Sequence, residues 1–235
     1  MNRVLEAARA LAESEASGAL VTILSGTAIG SRFLLDRDGA LLAGSVPPGI
    51  GGHIDAVTRA VAVERTGTVQ LEGAEALVEV IAPAPTLRLF GAGPIAEALC
   101  RLAARAGFRV MVGDPRAHLV TEDRFPDAIA VESGWPDDLL QRRPLDHRSF
   151  VVSVLHEVRF EDALLPHAAQ SAARYVGALG SKKTHAARLE RLAELGVSPE
   201  DLERIRGPVG LPIGAATPEE IAVSILAEMV QARRG

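Results

Sequence analysis

The chain has 235 residues, enough for one large domain or two modest ones with a buried core. Its 48% hydrophobic and 23% charged residues exclude wholesale disorder and a collagen-like fibre, and a net charge of -5 argues against a surface built to neutralise a nucleic-acid backbone. A single cysteine, Cys100, excludes an intramolecular disulfide and a four-cysteine zinc site and fits a reducing cytoplasm.

Residues 1–16 scatter Glu6, Glu13 and Glu15 among alanines, with no continuous apolar stretch. They read as an amphipathic helix, not as a signal peptide or a membrane span. Residues 19–24 and 31–35 read as strands around a Gly26/Gly30 turn, and Asp38-Gly39 signals a hairpin. Residues 44–52 (GSVPPGIGG) are a loop, because proline removes donors and glycine adds backbone entropy. A helix from Ile54 to about Arg65 and strands at 68–70 and 76–81 complete a small α+β domain, which ends at Pro83-Ala84-Pro85. The expected domains are therefore 1–84 and 85–235.

From Thr86 short apolar runs alternate with helical stretches, the pattern of parallel βαβ units. Runs at 87–90, 109–112, 128–131, 150–155 and 174–176 predict five parallel strands, and 94–106 and 182–195 are the clearest helices. The fold class is α/β, a Rossmann-like sheet preceded by a smaller α+β domain. The last helix has Thr217 as its N-cap, Pro218 at the first helical position and Glu220 closing a capping box.

Gly91, Ala92, Gly93, Pro94 and Ala96 form G-x-G-x-x-A between a predicted strand and a predicted helix, the context this motif requires. Gly91 permits the tight turn, Gly93 lets a pyrophosphate approach the backbone, and Ala96 lets helix and strand pack closely. Asp114, at the end of the next strand, is placed to meet a ribose hydroxyl, or Arg116 to meet a phosphate instead, so that plain and phosphorylated ribose both stay open. The alternative is a turn whose small residues serve packing alone. A second candidate anion site runs through Gly177, Gly180, Ser181, Lys182 and Lys183 into a helix start. A capped, solvated helix end would look the same. The segment 207–214, rich in glycine and proline, is an irregular loop feeding the last helix.

The tail Pro208-Val209-Gly210-Leu211-Pro212-Ile213-Gly214, followed by Thr217-Pro218-Glu219-Glu220-Ile221-Ala222-Val223-Ser224-Ile225, resembles the closing signature of the XdhC/CoxI family. Gly91-Ala92-Gly93, Asp114-Pro115-Arg116 and the 177–183 stretch resemble its other motifs in the same order, over roughly residues 19–232. The resemblance implies a cytoplasmic, non-catalytic accessory factor. It would bind the molybdenum cofactor, as molybdopterin or its dinucleotide form, support its sulfuration and deliver it to an apo molybdenum hydroxylase of the xanthine or carbon monoxide dehydrogenase type. No nucleic-acid or membrane partner is expected, and a homodimer is left open.

The N-terminal domain departs from that family. Its Gly-Ser-x-Pro-Arg stretch is represented by residues 25–32 without the proline, and its Gly-Gly-Cys-Val-Glu by Gly51-Gly52-His53-Ile54-Asp55. Gly52 and His53 are candidate cofactor contacts, with His53 able to bond a pterin or a phosphate, to ligate a metal, or merely to precede a helix. His156, at the carboxyl end of a predicted strand, stands where the family has a His-Asp pair. His118, His147, His167 and His185 are expected to be solvated, and Cys100 to be a small buried side chain. Two rival readings use the same glycine turn: an NAD(P)-dependent oxidoreductase with His156 or His53 as proton donor, and a dinucleotide-binding sensor or scaffold.

Overall fold

The structure, a computed structural model, describes residues 3–14, 16–50 and 54–235. The chain forms two compact units, Met1–Pro83 with Arg233–Gly235, and Ala84–Ala232.

The first unit is built on an antiparallel sheet whose strands, in chain order, are β1 (Gly18–Ile23), β2 (Arg32–Asp36), β3 (Leu41–Gly44), β4 (Gly67–Leu71) and β5 (Ala74–Ile81). Across the sheet their order is β3-β2-β1-β5-β4. Side chains alternate between faces with the strand period of two. Ala19, Val21, Phe33 and Leu35 join the core under helix α2 (Ile54–Ala62), whereas Leu20 and Leu34 join Val4, Ala8 and Leu11 of helix α1 (Arg3–Glu13). Strand β3 is the second arm of the hairpin that Asp38-Gly39 signals, with no strand run of its own to announce it. Its residues are exposed or half-buried, so no alternation marks it, and its pairing with β2 follows from the 36–40 turn. There the Asp36 Oδ1 accepts the N–H groups of Asp38 and Ala40 at 2.9 and 2.8 Å.

The second unit is a six-stranded parallel sheet. Its strands are β6 (Thr86–Phe90), β7 (Arg109–Asp114), β8 (Ala130–Ser133), β9 (Ser149–Ser153), β10 (Tyr175–Ala178) and β11 (Ile205–Arg206), in the spatial order β11-β10-β9-β6-β7-β8. Numbered from its own first strand this is 6-5-4-1-2-3, the doubly wound Rossmann arrangement, with its switch point between β6 and β9. Helices α3 (Pro94–Arg105) and α8 (Pro218–Arg234) pack on one face with Leu87, Leu89, Val110 and Val152. On the other face α4 (Pro136–Arg142), α5 (Val158–Gln170) and α6 (Lys182–Glu194) pack with Phe90, Val151 and Val176. The five expected strands are present, and β11, at two residues too short to be seen in the sequence, is a sixth. The short helix α7 (Pro199–Glu203) precedes it.

The capping box at the head of α8 forms as expected. The Glu220 N–H donates to Thr217 Oγ1 at 3.2 Å, and Glu220 Oε2 accepts the N–H groups of Thr217 and Ala216 at 3.0 and 2.8 Å. The loop before it is fastened to the sheet by Glu228, whose Oε2 accepts the Tyr175 hydroxyl at 2.5 Å and the Gly210 N–H at 2.7 Å. Burial, and then the Glu228 carboxylate, push the Tyr175 phenol above its ordinary range, so the hydroxyl remains a donor. Gly177 belongs to this packing and not to a turn: inside β10, a Cβ on it would stand 2.5 Å from Val209 Cγ2.

Candidate functional site

The carboxyl ends of β6, β7, β9 and β10 collect most of the candidate residues along one edge of the sheet. Backbone bonds continue past the strand ends: the Val154 N–H donates to Phe90 O and the Leu179 N–H to Ser153 O, each at 2.8 Å. The two glycine-bearing turns thus lie two strand spacings apart, about 10 Å.

The two glycines of the first turn are required for different reasons. Gly91 has φ +110°, and a Cβ there would lie 2.8 Å from Val154 Cγ2 and 3.0 Å from the Val154 backbone, so only glycine fits. Gly93, the N-cap of α3, has extended backbone at φ -88°, ψ -176°, and a Cβ on it would meet nothing within 4 Å. Neither conformation nor packing within the chain demands glycine at 93. No side chain caps α3, whose positive dipole end and first-turn N–H groups are therefore available to an anion.

The turn is held from beneath. The Gly91 N–H donates to Gly113 O at 2.9 Å, and the Ala92 N–H donates to Asp114 Oδ2 at 2.9 Å. Ala92 O accepts from Arg124 Nη2 at 2.8 Å, and the same guanidinium pairs with Glu97 in the first turn of α3. Arg124 escapes sequence reasoning because it lies 32 residues from the carbonyl it fixes, outside any motif.

Asp114 does not face outward. It is 0% exposed, and both its oxygens are taken: Oδ1 by the Arg116 N–H (2.8 Å) and Nε (2.9 Å), Oδ2 by Ala92 and by Arg116 Nη2 (2.8 Å). The expected ribose contact has no free lone pair to use; the carboxylate braces the turn, and the half-exposed Arg116 side chain is the outward member of the pair. Burial alone would raise the Asp114 carboxyl, but hydrogen bonds from Arg116 and Ala92 outweigh it and hold the group below the usual carboxylate range. Its stabilisation is present above the unfolded pKa of about 3.9 and is lost as pH falls through the lower folded value. Asp114→Asn places an amide N–H against one of these donors. It should cost about 2 kcal/mol at neutral pH and flatten the acid limb of stability below about pH 4, as read from denaturant unfolding across pH.

At the second turn Gly180 has φ +152°, and Ser181 caps α6, accepting the Thr184 N–H at 3.1 Å. Lys182 and Lys183 are exposed beside it, and among the described residues neither makes an ion pair. The turn is anchored by Arg188, which is 1% exposed and donates from Nη2 to Leu179 O at 2.6 Å and to Glu161 Oε1 at 2.7 Å. Arg188 lies four residues before the fully buried Leu192, so it shares the inner face of α6, a signal that the helical spacing of the sequence carries. His185, expected to be solvated, is instead half-buried: a Cβ on Gly207 would collide with its ring. Burial, then the Arg188 charge, lower its pKa, favouring the neutral ring.

His156 is exposed just past β9, beside Glu157, whose charge acts on Arg116. Ser153, at the end of β9, is 0% exposed, and its hydroxyl has no hydrogen-bond partner among the described residues. Cys100 is buried as expected, and burial, reinforced by the Asp127 charge, pushes its thiol up to about 11, away from nucleophilic chemistry. Gly52 and His53 lie outside the described residues. Among the described residues no group of three or more His, Cys, Asp or Glu side chains is arranged to hold a metal ion, and no helix is long and apolar enough to cross a membrane.

The sequence profile of the XdhC Rossmann domain matches residues 87–229. The chain is 36% identical over 157 residues to a Bacillus subtilis (strain 168) protein named as a probable subunit of xanthine dehydrogenase, covering 67% of this chain and 46% of that one. It is 31% identical over 151 residues to the "Molybdenum cofactor insertion chaperone PaoD" of Escherichia coli (strain K12), covering 64% and 41%. The chain thus spans less than half the length of these curated relatives. A solved structure described as a xanthine dehydrogenase from Bacillus halodurans superposes with a TM-score of 0.60 over 100% of this chain and 96% of that one, and at 21% identity the likeness is one of fold. None of these relatives is named for NAD or NADP. The strand order, the glycine turn at its carboxyl edge and the matched span of 87–229 lead to one assignment: the chain belongs to the XdhC family.

Proposed function

We propose that this chain binds the phosphorylated pterin of the molybdenum cofactor along the carboxyl edge of the parallel sheet and passes it to an apo molybdenum hydroxylase of the xanthine or carbon monoxide dehydrogenase type. The observation that carries the reading is Gly93, a glycine that neither its own backbone nor its neighbours require, set at the uncapped start of α3. Such a residue serves a group from outside the chain that must come close to the backbone, and a phosphate or pyrophosphate is what a helix start attracts. The accessory role rests on the relatives, one of them named a molybdenum cofactor insertion chaperone.

In this reading Gly91, Ala92, Gly93 and Pro94 receive the phosphate. Asp114 positions the turn, and Arg116 adds the outward charge. Gly180, Ser181 and Lys182 take a second anionic or polar group of the same ligand, with His156 between the two turns. The cofactor is cargo: these residues bind and orient it, and none is asked to change a bond. A reducing cytoplasm suits such a protein, with its one thiol buried.

Calorimetry of the purified chain with molybdenum cofactor under anaerobic conditions tests the reading, with NAD and NADP as parallel titrants. Binding of the cofactor in the micromolar range, with little heat from either dinucleotide, is the expected result. Binding of NAD or NADP alone would replace the chaperone by a dinucleotide sensor.

A further inference from the structure

The chain has one tryptophan, and it lies at this same edge of the sheet. Trp135 is the N-cap of α4, just past β8, and is 45% exposed. Its neighbour Gly134 donates its N–H to Asp114 O at 3.3 Å, so the loop carrying Trp135 is tied to the strand end that bears Asp114 and Arg116. The indole meets the Phe160 ring edge-on, with centroids 5.1 Å apart and planes at 71°. The Arg159 guanidinium stands 5.9 Å from the indole centroid and 4.5 Å from that of Phe160. Glu157, the residue whose charge reaches Arg116, holds Arg159 at 2.8 Å. An aromatic ring and a guanidinium plane, both exposed, therefore lie at the carboxyl edge of the sheet, the indole past β8, two strands from the β6 glycine turn, and the guanidinium past β9, the strand beside it.

An indole of this size left 45% exposed forgoes part of the burial its apolar area could supply, and Val158, next to Arg159 in the chain, is 50% exposed. What suits such a surface is a flat, electron-rich ring, which can stack on the indole and on the guanidinium alike.

We infer that Trp135 and Arg159 form a stacking platform for the planar heterocycle of the ligand whose phosphate is received by the Gly91–Pro94 turn. The inference rests on the reading of that turn given above. It adds a recognition element for the ring, one that would accept the pterin itself or the base of a dinucleotide form. Occupancy by the base would place the pterin towards β9 and β10, near His156 and Lys182.

The single tryptophan is its own reporter. The full chain is titrated with CDP, with molybdopterin and with inorganic pyrophosphate, following Trp135 emission, and the affinities are repeated by calorimetry for Trp135→Leu and Trp135→Phe. The expected result is quenching by at least one of the ring-bearing ligands and none by pyrophosphate. Trp135→Leu should weaken that ligand roughly tenfold, and Trp135→Phe much less, with pyrophosphate binding the same in all three proteins. Quenching by molybdopterin alone assigns the platform to the pterin, and quenching by CDP alone to the base. If Trp135→Leu binds both ring-bearing ligands as the unaltered protein does, the platform is wrong while the phosphate turn stands, and Trp135 becomes a candidate protein contact. If the unaltered protein binds none of the three probes, the phosphate turn and the platform fall together.

Discussion

Gly93→Val is expected to weaken binding of the phosphorylated ligand by roughly 100-fold or more while leaving the fold intact. The φ of -88° and ψ of -176° suit valine, and the position of its Cβ has no neighbour within 4 Å, so the change in stability should stay within about 1 kcal/mol. The added methyl groups stand where a phosphate must approach. Losing even two charge-assisted hydrogen bonds worth about 1.5–3 kcal/mol each accounts for the factor. Gly91→Ala is the counterpart. At φ +110° and with Val154 2.8 Å from the new Cβ, it should lower the melting temperature itself. Calorimetry and thermal melts on the two variants separate the roles: loss of binding with a preserved melt at 93, and a lowered melt at 91. A Gly93→Val protein that binds with unchanged affinity would remove the site.

Arg188→Ala should be the most destabilising single change in the second unit. It leaves Glu161, 5% exposed, as a buried carboxylate whose remaining ion-pair partner among the described residues is Arg191 at 3.5 Å, and it strips Leu179 O of the Arg188 donor. Breaking one side of such a pair costs about 3–5 kcal/mol, a fall of roughly 10 °C in melting temperature for a unit of this size. Removing both charges, as in Arg188→Met with Glu161→Leu, should recover most of that loss, because the desolvation of two ions is then avoided. Additive losses in the double variant would show that the pair is not the source of the effect. The position of the Gly180 turn depends on the same guanidinium, so lysine at 188, which lacks the planar fork, is expected to hold stability better than alanine yet loosen the turn.

What could be read from the sequence was local in the chain. Strand, glycine pair and helix start within twelve residues identify the first turn, and Thr217, Pro218 and Glu220 fix the head of α8 within four. The groups that hold those parts in place were not legible, because they act across long separations. Arg124 reaches Ala92 over 32 residues and Arg188 reaches Glu161 over 27. Asp114 was found by its position after β7, but that position fits a ligand contact and an internal brace equally well; only the count of donors around its oxygens separates the two. Trp135 gave no signal for the opposite reason, since a lone aromatic between a strand and a proline is commonplace until its neighbours are known.

The order of the parallel strands also has a consequence in time. During synthesis β6, β7 and β8 can pair as soon as residue 133 is free, since each is a neighbour of the one before it in the sheet. The crevice beside β6 does not exist until β9, beginning at Ser149, slides in on its other side, and the second turn waits for Ser181 and the loop that Glu228 fastens. At about 5–20 residues per second a nascent chain passes roughly one to four seconds as a half-sheet with one side of β6 bare. Helix α8, made after all of these strands, supplies the residue that fastens that loop, so a ribosome-bound chain stalled before Pro218 should be folded in part and unable to bind.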